Sequence, residues 1–142
     1  MSDHCEVVFS CFLRDDTPES VLAALRWHLG LAPERPAHLD PEWHPYPLLE
    51  PDPDSWLPGG DTASLRRQST GFTAEGERYA WGLFSRNHWL DDDLGYLVTV
   101  LELLAPHVEP DEDGFGGWFR YTHEAEQTPF VFRDGTYHKL GG

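Results

Sequence analysis

Residues 5–13 read CEVVFSCFL, and the two faces of this stretch decide the fold. Side chains alternate across a strand, so Cys5, Val7, Phe9, Cys11 and Leu13 share one face, and Glu6, Val8, Ser10 and Phe12 share the other. Both faces are rather apolar, which marks a strand that lies centrally in a sheet or is covered on both sides. Cys5 and Cys11 would then stand about 20 Å apart at roughly 3.3 Å per residue, whereas a disulfide needs Cα atoms within about 7 Å. They are expected as buried, reduced thiols on one face.

Downstream, Asp16-Thr17-Pro18-Glu19 has the chemistry of a helix start: an Asp or Thr cap, a proline in the first turn and an acid at the positive dipole end. Val21, Leu22, Leu25 and Leu29 follow at helical spacing, and Gly30 suits a left-handed stop. From Gly30 to Asp61 runs a long connection with eight of the twelve prolines and with Trp43, Tyr46 and Trp56. Such a connection is functional, a structural cover, or disordered, and its aromatic anchors argue against disorder. As a cover for an open sheet face it would bury Trp43 and Trp56, roughly 150–250 Å² each.

Residues 63–72 read as a polar strand, 73–76 as its turn, and 77–85 as a stronger strand. Arg86-Asn87-His88-Trp89 then joins that strand to a second helix opened by Asp91, Asp92 and Asp93, with Leu94, Leu97, Val98, Leu101 and Leu104 as its apolar stripe. Residues 115–122 form the next strand, where Gly116-Gly117 marks a bulge or a close backbone approach. Asp134-Gly135 between 130–133 and 136–140 is a type I′ hairpin signal. The expected fold is α+β, one domain over residues 1–142. Its element order over about residues 5–133 resembles the ferredoxin-like β-α-β-β-α-β arrangement, which implies an antiparallel sheet with two helices on one face. The long Pro/Trp-rich loop and a C-terminal β-hairpin are added to it. That fold hosts many functions and transfers none.

Twenty-five acids against ten bases leave a formal charge of −15. Nucleic acid and anionic membrane are therefore disfavoured as partners, while a basic protein suits the charge. No stretch reaches the roughly 18 apolar residues that span a bilayer, and the first residues lack the pattern of a secretory signal, so a cytoplasmic setting is expected. The eight histidines form no HExxH and the two cysteines no CxxC; there is no GxSxG, GxxxxGK[ST] or GxGxxG. No catalytic residue, metal or cofactor is expected.

Two groups remain as ligand-binding candidates. At the junction, Arg86 would clamp a carboxylate, His88 would move a proton and Trp89 would stack on a ring, although the three aspartates that follow repel an anion. On the expected central strands, Arg120, Tyr121 and His123 with Trp81, Trp118 and Tyr79 have the composition of a small-molecule pocket, and equally of a core or a dimer face. The leading functional reading is a non-enzymatic binding module for a basic partner, in one version an immunity-type protein against a cationic toxin, or for a second copy of itself. The alternative is a small dimeric ferredoxin-like enzyme or ligand carrier with an aromatic pocket.

Overall fold

The structure, a computed structural model, describes residues 3–109 and 114–140. Six strands form one sheet: β1 His4–Arg14, β2 Thr62–Thr73, β3 Gly76–Leu90, β4 Gly114–Tyr121, β5 Thr128–Arg133 and β6 Thr136–Lys139. Their order is β2-β3-β1-β4-β5-β6, and every neighbouring pair is antiparallel. Helix α1 spans Glu19–His28 and α2 spans Leu97–Leu104; 3-10 turns at Asp91–Tyr96 and Ala105–His107 flank α2.

β1 occupies the middle, as its two apolar faces require. It pairs with β3 from His4 to Arg14 and with β4 from Cys5 to Phe9. Its odd residues Cys5, Val7, Phe9 and Leu13 enter one buried cluster with Leu25 of α1 and Leu29 just after it, Leu97, Val100, Leu101 and Leu104 of α2, and Leu48 and Leu49 of the long loop. Burial pushes the thiols of Cys5 and Cys11 up to about 11 and about 12, and both are free.

The expected ferredoxin-like β-α-β-β-α-β domain is corrected here. The chain is a mostly β, six-stranded antiparallel sheet with two short helices. The layer on its buried face is built from helix and loop together, since Leu48 and Leu49 fill space that ten- and eight-residue helices leave. The terminal hairpin extends the same sheet through β4–β5 pairing rather than standing beside it. Asp134 and Gly135 both take positive φ, 52° and 75°, which is the type I′ turn that twisted hairpins favour. Gly117, at φ 138°, lies so close to β1 that a Cβ would sit 1.9 Å from the Val8 carbonyl oxygen, beside a register shift between Phe115 and Gly117.

Two local expectations also change. Pro18, not Asp16 or Thr17, holds the N-cap position of α1, because Thr17 turns its buried hydroxyl back to donate to the Arg14 carbonyl at 2.6 Å. The loop is docked by Leu39, Leu48, Leu49 and Leu57, all buried, whereas Trp43 is 57% and Trp56 75% exposed. Leu39 packs with Ala24 and Trp27 of α1, and Leu48 and Leu49 enter the cluster that holds residues of both helices, so this part of the loop covers the helix side of the sheet.

His28 holds the loop in place. It is fully buried at the end of α1. Its carbonyl accepts the Leu49 N–H at 2.9 Å and its Nδ1 accepts the Leu48 N–H at 3.1 Å. With Nδ1 an acceptor, the neutral ring carries its proton on Nε2 and donates to His44 Nδ1 at 2.8 Å. The Trp89 indole donates to the Leu48 carbonyl at 3.0 Å, tying the same residue to β3.

Burial, then the nearby His44 and Arg35, push His28 down to about 3 from its ordinary 6.5. The unfolded chain therefore binds a proton that the folded one refuses. Stability contributed by neutral His28 is complete above about pH 6.5 and is lost as pH falls from there toward about 3. The expected loss is about 2 kcal/mol between about pH 7 and pH 5, at about 1.4 kcal/mol per unit once the unfolded histidine is charged. Urea unfolding at the two pH values measures it, and His28→Gln removes most of the slope. A wild-type stability that does not change over this range would contradict the assignment.

Candidate functional site

The even residues of β1 face away from the helices and lie on the open side of the sheet. Register sets their neighbours: Glu6 stands opposite His88 and Arg120, Val8 opposite Arg86 and Trp118, and Ser10 opposite Phe84. An acid in the middle of an apolar central strand needs cationic partners to stay charged there. Glu6 has two. Its Oε2 accepts from Arg86 Nε at 2.6 Å and its Oε1 from Arg120 Nε at 3.0 Å, with the Glu6 side chain 5% exposed. Arg86 also donates to the Pro58 and Gly60 carbonyls, and Arg120 to the Glu124 carbonyl at 3.0 Å. The ion triad thus ties the return of the long loop and the β4–β5 turn to β1.

Above this triad, the rings of His4 and His88 stack at 4.7 Å and 10°, and Trp56 lies against both at 4.7 and 5.6 Å. Burial and the adjacent His4 push the His88 ring below its ordinary range, with Asp61 and Asp52 opposing. His4 Nδ1 and His88 Nε2 are buried without a hydrogen-bond partner.

Farther along the same face lies a shallow hollow of about 490 Å³. Phe12, Phe84 and Phe115 rim it, between 40% and 51% exposed, with Ser10, Ser64 and Gln68 as its polar wall. Among the described residues no element covers this face at those three rings.

The candidates from the sequence separate accordingly. Arg86 and Arg120 meet through Glu6, and His88 lies beside them on the open face. Trp89 points to the opposite, buried face and holds the loop. Trp81 also packs against the core side, with the Arg26 guanidinium 5.6 Å over its ring. Tyr121 stands opposite Cys5 toward the core, and His123 is exposed beyond the strand, 3.6 Å from Glu124. The segment 86–89, expected as a strand-to-helix junction, is strand, because pairing with His4–Val7 carries β3 on to Leu90. Three aspartates then open a 3-10 turn rather than an α-helix.

Glu6, Phe12, Phe84 and Phe115 were not among those candidates. The sequence signal for Glu6 was its position between Cys5 and Val7 in an otherwise apolar strand. For the phenylalanines there was none, since exposed and buried rings look alike in a list of residues. Among the described residues no three His, Cys, Asp or Glu side chains gather to hold a metal ion, and no helix is long and apolar enough to cross a membrane. No protein-family model, characterised protein or solved structure matches the chain.

Removing the shared acid leaves two guanidinium groups, each about a quarter exposed, without their counter-charge. Glu6→Gln is expected to cost about 3 kcal/mol of stability, within the range for breaking one member of a buried ion network. Urea unfolding at neutral pH tests this; a cost under about 0.5 kcal/mol, the size of an ordinary surface change, would show that the triad does not hold the sheet.

Proposed function

We propose that the chain is a binding module that presents the open face of its sheet, around Phe12, Phe84 and Phe115, to a basic protein. The observation that carries this reading is the asymmetry of the sheet. Helices and loop pack a hydrophobic core against one face, while three large rings stand half-exposed round one hollow on the other. Contiguous exposed apolar surface on an otherwise polar protein is characteristic of interaction sites, and aromatic anchors supply most of the affinity at such sites.

The face itself carries Arg66, Arg86 and Arg120 beside Glu6 and Glu109, so the close contact is aromatic rather than acidic. The formal charge of −15 acts at longer range and favours encounter with a basic partner. Neutralisation of a cationic toxin by an immunity-type protein is one role of this chemistry. Free thiols at buried Cys5 and partly buried Cys11 are compatible with a reducing, cytoplasmic setting.

Phe84→Ser is expected to weaken partner binding by about 2 kcal/mol, roughly thirtyfold, as for an interface hot spot. It should leave stability within about 0.5 kcal/mol of wild type, as for an exposed substitution. The measurement is capture by immobilised wild-type and variant protein at two salt concentrations, with sedimentation of the free protein in parallel. A basic protein held by wild type, released by salt and lost in the variant supports the reading. Equal capture by both proteins opposes it. A wild-type dimer that Phe84→Ser dissociates would assign the face to a second copy instead.

A further inference from the structure

β2 begins at Thr62, opposite Arg86, so the last residues of β3 have no strand beside them on that edge. The loop runs there instead. Asp61 Oδ1 accepts the His88 backbone N–H at 3.2 Å, and the Glu50 carbonyl accepts from Asn87 Nδ2 at 3.3 Å. Between loop and strand lies a hollow of about 150 Å³, walled by Glu50, Asp52, Asp61, Asp93, Asn87 and Tyr46.

The wall is made of acceptors. No ion pair among the described residues engages any of these four carboxylates. Three of them are held in place by neutral donors: Asp61 by the Asp52 and His88 amides, Asp52 by the Asp54 amide, and Asp93 by the Tyr46 hydroxyl at 2.7 Å. Each carboxylate offers about four lone-pair sites, so acceptor capacity remains after these bonds.

Asn87 gives an independent indication. The residue is 2% exposed and forms part of the wall. The amide orientation follows from its bond, since only the NH₂ end can donate to the Glu50 carbonyl. That leaves Oδ1 as a buried acceptor with no partner, a costly arrangement that a donor on a ligand would relieve.

Acidic side chains spread round the wall do not gather as metal ligands do. A head group carrying several outward-pointing donors suits them better. Guanidinium has five donors in a planar fork and ammonium has three. Leu48 and Trp89 add apolar wall against which a hydrocarbon stem can lie. We infer that this hollow binds the guanidinium or primary ammonium head of a basic ligand, with Asn87 Oδ1 and the carboxylates of Glu50, Asp52, Asp61 and Asp93 as acceptors. The hollow is separate from the phenylalanine-rimmed face, and the inference would stand if that face bound nothing.

The test is a titration of the full ¹⁵N-labelled chain at fixed ionic strength, read at the Asn87 side-chain amide and the Trp89 indole N–H. N-acetyl-arginine methylamide and N-acetyl-lysine methylamide represent protein side chains, and spermidine represents a free polyamine. N-acetyl-citrulline methylamide is the uncharged control, and calcium chloride is the metal control. Saturating shifts with at least one organic cation, and none with citrulline or calcium, are expected. Whether a side-chain mimic or spermidine binds more tightly identifies the source of the head group. Glu50→Gln should weaken binding about tenfold, the loss of one charged hydrogen bond. Asp93→Asn takes its place if that variant does not fold. No saturating shift with any organic cation, equal response to citrulline, or saturation of the same signals by calcium would overturn the inference.

Discussion

His28 sits where α1 ends, the long loop turns and β3 finishes, and it serves all three through one neutral ring. A neutral imidazole can accept at one nitrogen and donate at the other. The Leu48 amide and His44 take up that pair of groups, and Trp89 closes the arrangement from the sheet side through the Leu48 carbonyl. Placing Leu48 and Leu49 in the core depends on it. The helices are too short to cover the sheet, so a loop that let go of His28 would open the hydrophobic cluster itself.

From this anchorage the rest of the loop acquires its two distinct surroundings. Residues from Tyr46 to Asp52 lie beside the end of β3 and, with Asp61 and Asp93, form the acidic hollow. Residues after it cross toward the open side, where Trp56 covers the stacked His4 and His88 and the Pro58 and Gly60 carbonyls receive Arg86. The proline content now has a physical account. Eight prolines in a segment that forms no ladder restrict the unfolded chain and remove amides that would otherwise need partners.

The two faces of β1 obey different rules. The core face is sealed by packing. The open face holds its charges by mutual neutralisation in the Glu6–Arg86–Arg120 triad and leaves its phenylalanines to solvent. The formal charge of −15 makes copies of the chain repel one another, and under the proposed reading a basic partner meets no such barrier.

Much of the local structure was legible in the sequence for local reasons. Alternation in residues 5–13 marked the central strand, Asp134-Gly135 marked the hairpin, and Gly117 marked a close approach, because each depends on residues adjacent in the chain. The candidate site was only partly legible: Arg86, His88 and Arg120 were singled out, but Glu6, which unites the two arginines, was not. Only the tertiary structure decided that β3 runs on to Leu90, that the hairpin joins the same sheet, and that leucines rather than tryptophans dock the loop. It alone brought together Glu6, Arg86 and Arg120, and Asn87 with four acids. These outcomes depend on register and on which surfaces the short helices leave uncovered, quantities set by contacts between residues far apart in the chain, which no local pattern encodes.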